Sequence, residues 1–385
     1  MKIENIRNKI IENAKKQDLE IVPHSSVISW LYPGQFSYCL NENFIWDKYG
    51  TMIDIPCELH FHKIQPSIRW NDFIEYIQGS NKNSAKNENL HLANFDMATI
   101  TGGHIMPKEN YTNYSKNAFE GMINLLVDKI GLKKENFEVT YFPGLRLSEF
   151  GLQKNGNPKF NFDHKFSEDT EAKENFKSLG LKEGQIKPDA SRNCFLMPDW
   201  VCGETVPWGY RNEINYLHNG SLVDIATIER LLWRPLYEDN EIIGLEEWDK
   251  SMVISGAGLE RLAMVTENLN DIYCVGNIEP LFDYISVKGY ENPKLVCESL
   301  RMLHRIVSDS NGEMRDPKST KNARDRKSKY NNLLRNLSNI NEIDMHRMLE
   351  INSDINPWYS ELRNSSNRVI EQLKKYGKIQ KYGGR

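Results

Sequence analysis

No run of apolar residues in this 385-residue chain is long enough to cross a bilayer. Its first residues, Met-Lys-Ile-Glu-Asn-Ile-Arg, lack the apolar centre of a signal peptide. Both absences point to a cytoplasmic protein with no membrane partner. The six cysteines (Cys39, Cys57, Cys194, Cys202, Cys274, Cys297) form no Cys-x-x-Cys pair and read as reduced thiols, several packing as small hydrophobes. The chain has no Walker sequence (Gly-x4-Gly-Lys-Ser/Thr) and no internal repeat. What is present is ordinary for a soluble protein: 39% hydrophobic and 26% charged residues, enough for a sizeable core in two or three domains.

The net charge of −4 hides an asymmetry. Residues 301–385 hold 18 Lys+Arg against 10 Asp+Glu, so a basic tail follows an acidic body. Such a tail suits a nucleic-acid or phosphate-bearing partner, or is simply a solvated helical face. Helical spacing is clear at Ile3, Ile6, Ile10, Ile11 and Ala14, and again at Ala118, Met122, Leu125, Leu126 and Ile130. Residues 51–71 alternate in period two around two prolines, which predicts antiparallel strands with one solvated face. His60 and His62 fall on one such face. They are a metal pair without an acidic or cysteine partner nearby, or plain polar positions. The Asn-rich residues 79–89 predict a loop, residues 151–165 a turn-rich insertion, and residues 167–180 a polar helix.

The most informative stretch is Met252–Val265, Met-Val-Ile-Ser-Gly-Ala-Gly-Leu-Glu-Arg-Leu-Ala-Met-Val. It reads as a buried strand, a tight turn at Gly256 and Gly258, and a helix packing through Leu259, Leu262 and Ala263. Arg261 occupies the first helical turn, where a cation opposes the helix dipole and needs an anionic partner, either a nucleotide phosphate or a structural carboxylate. A dinucleotide loop would need a small residue in place of Arg261.

This stretch resembles motif 3 of the class II aminoacyl-tRNA synthetases, and Gly-x-Gly-Leu-Glu-Arg is most similar to the alanyl-tRNA synthetase version. Gln65-Pro66-Ser67-Ile68-Arg69-Trp70-Asn71-Asp72 resembles the start of motif 2, and His91-x-x-x-Phe95-Asp96-Met97 the family's His-x-x-x-Phe-Glu-Met. The resemblance runs in order through residues 1–290. It implies an α+β fold, a class II antiparallel sheet flanked by helices, with a mainly helical, basic region at 291–385. It implies an ATP-dependent ligase that forms an acyl-adenylate and passes the acyl group to an acceptor, tRNA in the family. Arg69 would hold the α-phosphate, His91 would lie near the phosphates, and Phe95 would stack on adenine, its bland alternative being core packing. Gly258 and Arg261 complete the implied ATP site, with Arg69 and Arg261 as the catalytic pair. A hard Mg²⁺ ion would take carboxylate oxygens from Glu213 and Asp224, which are otherwise ordinary strand-face acids. Basic residues from Arg315 to Lys329 would contact tRNA phosphates, positioning RNA rather than specifying it. Class II enzymes often dimerise, though no interface is legible here.

The implied substrate pocket comprises Met97, Phe195, Glu213, Thr227, Ile254 and Gly256. Two departures bear on it. The family's editing and C-terminal segments have no counterpart in these residues. And where the family places an aspartate to pair with the α-ammonium of alanine, this chain has Ile254. Leaving a buried ammonium without its counter-ion costs about 3–5 kcal/mol, which predicts that free alanine is a poor substrate. The substrate would then be an acid without an α-amino group, or an amino acid held through another acid such as Glu213 or Asp96. The acceptor could equally be a carrier protein or a small amine. A non-catalytic RNA-binding relative is the reading from a different class.

Overall fold

The computed structural model describes residues 1–28, 34–37, 40–55, 58–79, 88–154, 157–197, 206–239, 241–314 and 320–383. Cys39, Cys57, Cys202, Arg315, Lys318 and most of the Asn-rich stretch lie outside the described residues.

The opening periodicity forms helix α1 (Ile3–Lys16), whose Ile3, Ile6, Ile10 and Ala14 are buried. Strand β1 (Glu20–Ile21) and helix α2 (Glu42–Tyr49) follow. The alternating segment supplies β2 (Leu59–His62) and β3 (Ile64–Ile68). These do not form a hairpin with each other. Both pair antiparallel with one long strand, β4 (Asn94–Pro107). The expected solvated face is absent, because His62 is buried against Thr99 Oγ1 (2.8 Å) and His60 sits against His104 (3.1 Å). Between β3 and β4 lies a short helix, α3 (Trp70–Asp72), continued by a wider turn at Phe73–Ile77.

Helix α4 (Tyr111–Asn124) covers the sheet, and β5 (Phe137–Tyr141) follows. The insertion forms two small ribbons, β6 (Leu145–Arg146) with β9 (Lys165–Phe166), and β7 (Gln153–Lys154) with β8 (Asn157–Pro158). After helix α5 (Thr170–Ser178) come β10 (Ile186–Pro188) and β11 (Phe195–Leu196). The sheet is completed by β12 (Trp208–His218), β13 (Ser221–Glu238) and β14 (Glu241–Gly258). Asn219 and Gly220 join β12 to β13, both with positive φ, the two-residue hairpin that Asn-Gly favours. The main path runs β1-β2-β4-β14-β13-β12-β5-β10, parallel only at its two outer pairings.

Strand β14 passes directly into helix α6 (Leu259–Glu267). The predicted tight turn is not there, since neither Gly256 nor Gly258 has a positive φ. Glycine serves close approach instead: a Cβ on Gly256 would stand 2.9 Å from Leu40 Cδ2. The helical remainder is α7 (Glu279–Val287), α8 (Pro293–Ser310), α9 (Thr320–Leu337), α10 (Glu342–Asp354) and α11 (Ser360–Gly383).

One apolar cluster runs from Ile3 and Ile6 through Val253, Leu259 and Leu262 to Leu303, Leu333 and Val369, so the core is continuous across residue 290. The opposite face of β14 belongs to a second cluster with Leu40, Trp46, Met252 and Ile254. That face carries the site.

Candidate functional site

A cavity of about 680 Å³ opens on this face of the sheet. Cross-strand register builds its floor. Gly256 lies opposite Thr227, and Thr227 opposite Glu213; two residues along, Ile254 lies opposite Glu229, and Glu229 opposite Arg211. Side chains two apart on a strand share a face, and all six of these residues line the cavity. Gly256 contributes no side chain, and Leu40 packs against the place its Cβ would take.

One end of the cavity is cationic. Arg69, at the end of β3, and Arg261, in the first turn of α6, are far apart in sequence and line the same space. The Arg69 guanidinium lies over the Phe95 ring at 5.2 Å and makes no hydrogen bond with a described residue. Arg261 donates through Nη1 to the Asp224 carboxylate and to the Asp224 carbonyl oxygen, both at 2.8 Å. The structural carboxylate anticipated for Arg261 is therefore present. It engages one nitrogen of a group with five donors.

Burial pushes Asp224 upward, but Arg261, Arg69 and Arg211 outweigh it and hold the carboxyl below its usual range. Glu213 differs. Burial pushes it up to about 8, and Asp224 adds to the rise, although Arg211 Nη2 lies 2.5 Å from Glu213 Oε1. Burial likewise pushes Glu229 up to about 7; its ion pair with Arg211 Nε is long, at 3.7 Å. Glu213 Oε2, Thr227 Oγ1 and Arg211 Nε are buried without a hydrogen-bond partner among the described residues. Orphaned polar atoms are few in folded proteins; here three cluster on one cavity wall.

The cavity gathers Arg69, Phe95, Met97, Glu213, Asp224, Thr227, Ile254, Gly256, Gly258 and Arg261 from the sequence-derived set. Two expected residues do not line it. His91 stacks on Tyr76, with ring centroids 3.7 Å apart, and burial followed by Arg261 and Arg69 pushes it down to about 4. Phe195 is fully buried in an aromatic cluster with Phe142, Phe166, Tyr210 and Trp233, so it is not a pocket wall; its neighbours Leu196 and Met197 are. Asp96 is also removed from consideration as an amine holder, because Arg7 (2.8 Å) and the Tyr359 hydroxyl (2.8 Å) already occupy its carboxylate. Residues the sequence reading missed are Glu42, Asp72 and Glu229. Glu229 was within reach, since it stands two residues beyond Thr227 in an alternating strand. Elsewhere, His24, Asp309 and Glu361 cluster closely enough to suggest metal ligands, but Arg305 pairs with both acids at 3.3 and 2.8 Å. Neither His60 nor His62 belongs to a potential metal group among the described residues.

No protein-family model matches the chain. Among curated proteins it is similar to the mitochondrial alanine–tRNA ligase of Saccharomyces cerevisiae, 26% identical over 215 residues, 51% of this chain and 19% of that protein. It is also similar to the alanine–tRNA ligase of Schizosaccharomyces pombe, 26% identical over 178 residues, 44% of this chain and 16% of that one. The chain thus spans less than a fifth of the length of either relative. Two solved structures of pyrrolysyl-tRNA synthetase from Desulfitobacterium hafniense are each 13% identical: one covers 70% of each chain with a TM-score of 0.32, the other 71% of this chain and 72% of its own with 0.33. The helix-flanked, largely antiparallel sheet and the sequence similarity together show an aminoacyl-tRNA synthetase-like class II fold, similar in sequence to the alanine–tRNA ligases across about half of the chain.

Proposed function

We propose that this protein is an ATP-dependent ligase that activates an amino acid or related carboxylate as an acyl-adenylate and passes the acyl group to an acceptor. The observation that carries this reading is the convergence of Arg69 and Arg261 on one cavity that also presents the Phe95 ring. The substrate carboxylate is already ionised, so it attacks the α-phosphorus directly. The acyl–phosphate bond forms as the bond to pyrophosphate breaks, and no covalent enzyme nucleophile or general base is needed. Charge builds on the phosphoryl oxygens, where forked guanidinium donors are most effective. Positioning supplies the remainder of the rate.

Mg²⁺ is the ion such chemistry implies. The residues fit it: Asp224 is held ionised beside Arg261, and Glu213 Oε2 lacks a partner. When bound, the ion would neutralise nucleotide phosphate charge. A crystal structure with a non-hydrolysable ATP analogue tests the assignment. The expected result is both guanidiniums on its phosphates and Phe95 against the base; a nucleotide bound elsewhere ends the reading.

For the acceptor, tRNA follows from the resemblance and from the basic tail. Ile254, which changes the amino-acid pocket, favours the second reading, a biosynthetic enzyme with a carrier protein or small amine as acceptor. A non-catalytic RNA-binding role is opposed by the retention of both arginines in one cavity. Charging assays with tRNA and with candidate carrier proteins separate the first two readings, and absence of ATP binding would favour the third.

A further inference from the structure

We infer that the acid bound in this cavity carries an amine, and that Glu229 holds its ammonium group beside Ile254. The inference rests on the ligase reading for the acid being a substrate, and on cavity geometry alone for the ammonium site.

Glu229 lies directly across the strand pair from Ile254. Facing side chains on adjacent strands stand about 5 Å apart at Cβ. A carboxylate is therefore present one strand away from Ile254, where the resemblance implies an aspartate. Its surroundings suit a visiting cation. No described residue donates a hydrogen bond to it, and its one ion pair, to Arg211 Nε, is 3.7 Å long. Arg211 is committed more closely to Glu213, at 2.5 Å. One guanidinium thus serves two acids, and Glu42 adds further negative potential nearby.

The next row of the floor completes the seat. Thr227, two residues before Glu229 on the same strand face, carries a buried Oγ1 without a hydrogen-bond partner among the described residues. An ammonium group has three donors and no acceptor. Standing in the cavity on the face that these two residues share, it can reach the Glu229 carboxylate and the Thr227 hydroxyl. The other acids offered by the sequence are worse placed. Glu213 holds Arg211 and Asp96 holds Arg7. Around the proposed seat, Leu40, Met97, Leu196, Val206 and Ile254 form an apolar wall suited to a hydrocarbon skeleton. The geometry points to an amino acid with an apolar side chain.

Calorimetric titration without ATP tests this on the full chain. The probes are apolar L-amino acids, the same acids lacking the amine, and the same amines lacking the carboxylate. The inference predicts that at least one amino acid binds about tenfold or more tightly than its des-amino partner. Glu229→Gln should abolish that preference. Equal or tighter binding of the des-amino acids, or no binding by any amino acid, overturns it. So does a folded Glu229→Gln protein that retains the preference. Should that variant not fold, Thr227→Val is the second probe, and an unchanged preference in it counts against the seat. Pyrophosphate exchange with the same panel separates the two readings. An amine preference without exchange removes the ligase and leaves the ammonium site. Exchange supported only by des-amino acids removes the ammonium site and leaves the ligase.

Discussion

Arg69 stands at the end of a strand with its guanidinium over an aromatic face and donating no hydrogen bond to a described residue. Few of the molecule's contacts depend on it, so its loss should affect chemistry far more than folding. Arg69→Ala is expected to lower acid-dependent pyrophosphate exchange about 10²–10³-fold, the scale of removing one transition-state donor. Its melting temperature should match the parent; near-normal exchange in the variant would refute the role. Both arginines were legible because each sits in a distinctive local string, Gln-Pro-Ser-Ile-Arg and Gly-Leu-Glu-Arg. The substitution at Ile254 was legible for the same reason. Glu229 lay one alternation beyond Thr227, but its meaning comes from register across three strands, which no local string records. Phe195 failed for a related reason: neighbouring residues on a strand face opposite ways, so Phe195 faces the aromatic cluster while Leu196 reaches the cavity.

Elements were predictable where periodicity was strong. Helix α1 follows from its Ile3, Ile6 and Ile10 spacing, and its buried side matches that pattern. The joint between β14 and α6 was misread, because glycines in sequence suggest a turn, whereas here they admit Leu40 and a cavity. The tie between α8 and the sheet was invisible. Glu298 accepts the backbone N–H groups of Ala93 (2.7 Å) and Asn94 (2.9 Å) and pairs with Arg301. This fixes the approach to β4, and so the strand that carries Phe95 and Met97. Breaking a buried pair while leaving its cation in place typically costs about 3–5 kcal/mol. Glu298→Gln should therefore lower unfolding free energy by about 3 kcal/mol in urea denaturation; a loss below about 1 kcal/mol would show that the tie is dispensable.

Across the whole molecule, buried histidines and buried acids set opposing pH dependences. His62, His91, His104 and His304 are each pushed down to about 4, with burial the first cause in every case. Below the unfolded value of about 6.5, the unfolded chain takes up protons these residues refuse, so stability falls as pH drops toward 4. Glu213, Glu229 and Glu260, pushed up by burial to about 8, 7 and 7, act in the other direction. They keep protons that the unfolded chain releases above its ordinary carboxylate pKa, and stability falls as pH rises through that window. A single substitution isolates one contributor. His304 donates from Nε2 to Leu362 O (2.7 Å), and its Nδ1 faces the Asn352 amide at 3.0 Å, as a neutral ring does. His304→Gln should be less stable than the parent at pH 7, and the deficit should shrink by up to about 1.4 kcal/mol per pH unit between pH 6.5 and 4.5. A constant deficit in denaturation at pH 7 and pH 5 would contradict a neutral His304.

The basic tail divides on inspection. Arg326 is buried and donates from Nε to Gln35 O at 2.9 Å, and Lys329 bonds Gly34 O at 2.5 Å and Gln35 Oε1 at 2.6 Å. Part of the positive spacing on α9 is thus internal, which the sequence could not reveal because the residues it meets are nearly three hundred positions away. Lys321, Arg324 and Lys327 remain exposed. If they meet RNA phosphates, replacing all three with Glu should weaken tRNA binding and make its salt dependence shallower by about 0.7–0.9 log units per lost contact. Equal slopes for parent and variant would remove α9 from the RNA surface.

The central claim is that two distant guanidiniums converge on one nucleotide so that a carboxylate can be joined to AMP. Its most direct test is ATP–pyrophosphate exchange by the intact chain across a panel of amino acids and des-amino acids. The account predicts exchange that requires an added acid and collapses in Arg261→Ala as it does in Arg69→Ala. A full panel without exchange, or exchange that survives the loss of either arginine, would contradict it.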